Sequence, residues 1–80
     1  MRIPRNISGT QLCQSLKKFG YAVTRQTGSH IRLTTKQLGE HHVTIPAHDN
    51  LRIGTFVSIL DDVAAHLKIS REGLLKELSL

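Results

Sequence analysis

Five histidines stand among 80 residues, and four of them, His30, His41, His42 and His48, fall within one stretch of the chain. With an ordinary pKa of about 6.5, an imidazole gives or takes a proton near neutrality, binds metals, or simply makes polar surface. Metal binding is the least supported of the three. His41 and His42 are adjacent, so on a strand they point to opposite faces and cannot ligate one ion together. Cys13 is the only cysteine, and no His-x-x-x-His pair accompanies it, so neither a zinc site nor a disulfide is expected. His41 and His66 read as structural, with Asp62 four residues before His66 at helical pairing distance. His30 is different because it follows Gly28-Ser29, a turn-forming pair that lets another backbone approach closely. Spacing alone leaves two readings of it open, acid–base chemistry and polar strand surface.

The elements that must position His30 follow from periodicity. Ser8 and Gln11 have the spacing of a capping box, and Leu12, Leu16 and Phe19 recur as one helical stripe that Gly20 ends. From Tyr21 the period becomes two. Tyr21 and Val23 alternate with Ala22 and Thr24, a turn falls at Gln26-Thr27-Gly28, and Ile31 and Leu33 then alternate with His30, Arg32 and Thr34. A second turn over Gln37 to Glu40 leads to a third strand with Val43 and Ile45 inward, ending at Pro46. Ala47 to Gly54 reads as a loop, and Thr55 as the N-cap of a long helix whose inward stripe is Phe56, Ile59, Leu60, Val63 and Leu67. Ser70 caps a short final helix with Leu74, Leu75 and Leu78 inward. The expected fold class is α+β, in the order α-β-β-β-α with a C-terminal helical appendage: a three-stranded antiparallel sheet with helices on one face.

Parity then fixes the open face. Ile31, Leu33, Val43 and Ile45 go under the helices, so His30, Arg32, Thr34, His42 and Thr44 face solvent. Arg25 and Lys36 are expected near the strand ends, adding positive potential around His30. The total charge supports that placement, with 11 Lys and Arg against 6 Asp and Glu. Residues 1 to 40 hold seven basic side chains, Arg2 and Arg5 among them, and only Glu40 on the acidic side. Such an asymmetry favours a polyanion as partner.

Length and composition exclude much else. Eighty residues leave room for one domain, 1–80, and none for a dinucleotide-binding fold or a TIM barrel. No apolar run approaches the roughly 20 residues of a membrane span, and Met1 to Ile7 lacks the apolar core of a signal peptide, so a cytoplasmic protein with no membrane partner is expected. Aromatics are 4% of the chain, and Phe19, Tyr21 and Phe56 fit core stripes rather than a base-stacking platform.

Three blocks carry a family resemblance. Gly20 to His30, reading Gly-Tyr-Ala-Val-Thr-Arg-Gln-Thr-Gly-Ser-His, resembles the aromatic strand and Gly-Ser-His motif of the HicA-like mRNA interferase toxins, the YcfA family. Val43 to His48 is similar to that family's strand ending in Pro-x-His. Gly54-Thr55-Phe56 with Ser58-Ile59-Leu60 resembles its Gly-Thr-Leu and Ser-Ile-Leu segments. The blocks occur in family order over about residues 8 to 60. The resemblance implies a double-stranded-RNA-binding-like fold and a metal-independent endoribonuclease that degrades mRNA without a cofactor. It implies a HicB-type antitoxin as partner and His30 as the catalytic histidine. Gly28 and Ser29 present that histidine, with Arg25, Arg32 and Lys36 as RNA-binding residues around it. A non-catalytic RNA-binding module using the same basic face is the alternative. The chain departs from the family pattern at Ile31, where many members carry a second histidine, and at Asp61 and Asp62, where basic or neutral residues are expected.

Overall fold

Ser8 starts the first helix by accepting a hydrogen bond from the Gln11 N–H at 3.0 Å. That helix, α1, runs over Gly9–Leu16 and tightens into a 3-10 turn, Lys17–Phe19, which Gly20 terminates in the left-handed region at φ 81°. Strands β1 (Ala22–Thr27), β2 (His30–Thr35) and β3 (His41–Pro46) then form an antiparallel sheet in the order β1-β2-β3. Helices α2 (Ile53–Leu67) and α3 (Arg71–Leu78) complete the α-β-β-β-α fold and its appendage. The computed structural model describes residues 3–80, so Arg2, counted above in the basic half, lies outside the described residues.

The sheet is buried on one side only. Ile31, Leu33 and Thr35 of β2 and Val43 and Ile45 of β3 lie under the helices, packed with Leu12, Leu16, Phe56, Leu60 and Val63 in one apolar cluster. Thr35 is the buried polar member, and it is satisfied twice over. Its hydroxyl donates to the Phe19 carbonyl at 2.8 Å and accepts from the Gln37 N–H at 3.2 Å, tying the end of α1 to the β2–β3 turn.

Three details differ from the sequence expectations. Helix α2 begins at Ile53 with Arg52 at its N-cap and no side-chain cap, so Thr55 sits inside the first turn. Tyr21 precedes β1 and is buried, and the strand itself is exposed along its whole length, with Val23 half exposed on an uncovered edge. Asp62 pairs with His41 across 3.1 Å, while His66 donates from Nε2 to the Gln37 carbonyl at 2.8 Å. The helical Asp62–His66 pairing is thus replaced by two tertiary contacts that fasten α2 to β3 and its preceding turn.

Helix α3 is too short to stand alone. It is held by Leu74, Leu75 and Leu78 in the core, by the Ser70 cap, and by two ion pairs, Lys18–Glu77 at 3.0 Å and a bidentate Arg71–Asp61 contact at 2.7 Å. Asp61 and Asp62, the acidic pair that departs from the family pattern, therefore brace α2 against α3 and β3.

The segment after β3 passes very close to α1. Gly9 donates its N–H to the His48 carbonyl at 2.9 Å, Leu51 donates to the Ile7 carbonyl at 2.8 Å, and a Cβ on Gly9 would overlap the Pro46 carbonyl oxygen. Gly9→Ala is accordingly expected to destabilise the protein by about 1–3 kcal/mol, as overpacking does. Gly54→Ala, whose Cβ meets nothing within 4 Å, is expected to stabilise it. Thermal unfolding of the two variants reads the opposite signs. The Arg71 guanidinium hydrogen-bonded to Asp61 holds that carboxyl below its usual 3.8. The stability wild type holds over Asp61→Asn is therefore full above the unfolded-state value and fades as pH falls through the lowered one, which unfolding curves at a series of acid pH values will show.

Candidate functional site

His30 owes its position to a two-residue hairpin. Thr27 pairs with His30, so the loop is Gly28-Ser29, shifted from the Gln26-Thr27-Gly28 turn expected from sequence. Gly28 has φ 56° with open space where a Cβ would be, and Ser29 has negative φ, the II′ pattern that matches strand twist. The Ala47 N–H donates to the Ser29 carbonyl at 2.6 Å, so the turn is pinned from β3's exit. His30 is consequently the first residue of β2, exposed, with Thr27 and Pro46 as cross-strand neighbours.

One rung further along, a β-bulge changes what β1 offers. Val23 pairs with Leu33 but Arg25 pairs with Arg32, so Thr24 is an extra residue in the ladder. In regular register Arg25 would share the helix-side face of Val23. The bulge carries it to the open face, directly opposite Arg32. Thr24 holds the bulge by contacting the Arg32 carbonyl at 3.4 Å and the Thr34 hydroxyl at 2.9 Å. Like charges directly opposed across strands are destabilising, and no carboxylate among the described residues pairs with either guanidinium. Two arginines with no carboxylate partner among the described residues thus stand on the open face, with His30 one step away along β2.

The third rung holds Thr34 between Thr24 and His42. Thr34 Oγ1 lies 2.7 Å from His42 Nδ1, and His42 Nε2 lies 3.2 Å from the Glu40 carboxylate. Thr44 completes the middle rung opposite Arg32.

The other face of β3 carries a separate polar cluster. Burial, with Asp62 nearby, pushes the Tyr21 phenol up to about 12, so its O–H remains a donor to His41 Nδ1 at 2.7 Å. His41 Nε2 then carries the proton shared with Asp62, and the His41 ring stacks on His66 with centroids 4.4 Å apart. This cluster is structural, as is Cys13, whose thiol pKa burial raises.

The expected site residues are therefore only partly gathered. Gly28, Ser29, His30, Arg25 and Arg32 share one corner of the open face. Lys36 follows the far end of β2, roughly 20 Å of strand from His30, and is not brought to it. His48 lies exposed in the loop after β3. Sequence reasoning missed the bulge and the Thr24–Thr34–His42–Glu40 chain. The signal for the bulge was present in the parity, since Tyr21, Val23 and Arg25 form one alternating set that would place a bare guanidinium on the helix side. Among the described residues no three His, Cys, Asp or Glu side chains converge as metal ligands, and no helix is long and apolar enough to cross a membrane.

Fold and face together define a small basic α+β protein of α-β-β-β-α order, compatible with the double-stranded-RNA-binding-like fold, with its polar sheet face uncovered. Residues 9–64 match the family model described as the HicA toxin of bacterial toxin–antitoxin systems, and the chain belongs to that family. It is thus of the toxin class whose counterpart is an antitoxin. Neither curated proteins nor solved structures yield a match to the chain. Helix α3 lies beyond the matched residues, and the clamp of Arg71 on Asp61 ties it to the matched part of α2.

The opposed arginines generate a stability prediction. Arg25→Gln removes the cross-strand repulsion, so it is expected to raise the thermal midpoint at low ionic strength, with the gain shrinking as salt screens the pair in wild type. Melting curves at low and high salt test this, and an unchanged or lowered midpoint at low salt would show that the rung is not electrostatically loaded.

Proposed function

We propose that this toxin is a metal-independent endoribonuclease that cleaves mRNA on the open sheet face, with His30 as the proton-transfer residue. The observation that carries the reading is the placement of an exposed imidazole one step along β2 from two guanidiniums that lack an anion. A phosphodiester seated on Arg25 and Arg32 has its esterified oxygens within reach of His30. The ribose 2′-oxygen attacks phosphorus as its proton leaves, the bond to the 5′-oxygen breaks, and that oxygen takes up a proton. A 2′,3′-cyclic phosphate and a 5′-hydroxyl result. His30 serves as base toward the 2′-hydroxyl or as acid toward the 5′-oxygen, a contribution of roughly 10²–10⁴ in rate. Arg25 and Arg32 neutralise the charge that builds on the phosphorane oxygens. Gly28 and Ser29 hold the turn that aims the ring.

The antitoxin in this reading is of HicB type and covers the same face, supplying the carboxylates that the arginines lack. Membership of the HicA family and the three family motifs in order support both parts. Since the attacking group belongs to the ribose, DNA of the same sequence stays intact.

His30→Ala is expected to lower the cleavage rate of end-labelled RNA in excess EDTA by about 10²–10⁴ while leaving RNA retention in place. Retention itself, if three or four phosphates are neutralised, falls with salt at a log–log slope of roughly −2 to −3. Cleavage by the alanine variant at the wild-type rate would remove His30 from the mechanism. RNA bound but cut by neither protein would favour the binding-module alternative.

A further inference from the structure

The third rung of the open face is hydrogen-bonded from end to end, and Glu40 sets its polarity. A carboxylate only accepts, so His42 donates to it from Nε2 across 3.2 Å. In the neutral ring Nδ1 is then an acceptor, and the Thr34 hydroxyl 2.7 Å away donates to it. With its single proton committed, Thr34 can only accept from Thr24 at 2.9 Å, a nearer partner for that hydroxyl than the Arg32 carbonyl at 3.4 Å. Every hydroxyl proton is directed along the rung toward Glu40. What Thr24 and Thr34 have left to offer is lone pairs.

This rung therefore suits a donor, whereas its neighbour suits an acceptor. Arg25 and Arg32 carry donors only, and about 6.6 Å along the same strand the face changes to acceptors only. A ribonucleotide backbone carries the matching pair of groups, an anionic phosphate and a hydroxyl donor on the adjoining sugar. Tyr21 and Phe56 are buried and Phe19 packs against the core, so no Phe or Tyr ring lies on this face. The groups of these two rungs match the backbone.

We propose that Thr24 and Thr34 form a ribose subsite, accepting a hydrogen bond from a 2′-hydroxyl on the side of the arginine-bound phosphate away from His30. The inference rests on the ribonuclease reading of this face and adds to it a second recognition of RNA, independent of the attacking hydroxyl. His42 and Glu40 are positioning residues that hold both threonine protons away from the ligand.

The test compares binding of one short fluorescent RNA with its 2′-fluoro counterpart, which keeps the sugar pucker and the bases but lacks the donor. His30→Ala is the parent protein, so that the RNA survives the measurement. The parent is expected to prefer RNA by about five- to tenfold, the size of one net hydrogen bond. Adding Thr34→Val should bring the preference close to one. Adding His42→Ala, which keeps both hydroxyls but frees their protons, should also shrink it, by improving binding of the 2′-fluoro strand. No preference in the parent, or a preference that neither variant changes, overturns the subsite while leaving the ribonuclease reading intact. Failure of the parent to hold RNA at all would instead overturn the reading beneath it.

Discussion

One-sided burial of β2 is the constraint from which the rest of this protein follows. Ile31, Leu33 and Thr35 must lie under α1 and α2, and because side chains alternate along a strand, His30, Arg32 and Thr34 are thereby forced into solvent. A slip of one residue would bury the histidine and the guanidinium and expose the core. The hydrophobic driving force that folds the domain and the presentation of its polar face are therefore one event. Thr35 marks the end of this register. Its two hydrogen bonds to Phe19 and Gln37 lock the strand against both the first helix and the next turn.

Much of this was legible in the sequence. The helical stripes of α1, α2 and α3, the Ser8 and Ser70 caps, and the inward sets of β2 and β3 all follow from apolar spacing, because each element covers the same core and its pattern is undisturbed. Legibility fails where a tertiary contact overrides a local preference. Thr55 has the chemistry of an N-cap, yet the Leu51–Ile7 backbone bond fixes the chain earlier and the helix begins at Ile53. Asp62 has helical spacing to His66, but the Tyr21–His41 pair draws it across to β3. The bulge at Thr24 breaks the period of two, and its one trace in the sequence is that unbroken alternation would put the Arg25 guanidinium on the helix side. It matters most for the site, since it alone converts Arg25 from an edge residue of the covered face into the partner of Arg32.

A conflict between stability and recognition accounts for the character of the open face. Elsewhere Arg71 pairs with Asp61 and Lys18 with Glu77, while the imidazoles of His41 and His42 hydrogen-bond to Asp62 and Glu40. On the middle rung two guanidiniums are opposed, and no carboxylate among the described residues pairs with either. In the function proposed above, an RNA phosphate and an antitoxin both draw on that unmet charge. The pairing of Asp61 and Asp62 with Arg71 and His41 turns both carboxylates to structural work away from the sheet's open side.

The chemical nature of the cut ends reports which oxygen attacked the phosphorus. RNA digested by the purified protein in excess EDTA and examined by mass spectrometry should yield fragments ending in 2′,3′-cyclic phosphate or its hydrolysis product, with 5′-hydroxyl on the other side, as attack by the ribose hydroxyl requires. Fragments carrying 5′-phosphate and 3′-hydroxyl would mean that water attacked the phosphorus, and the account of His30 acting on a ribose proton beside the arginine pair would be contradicted.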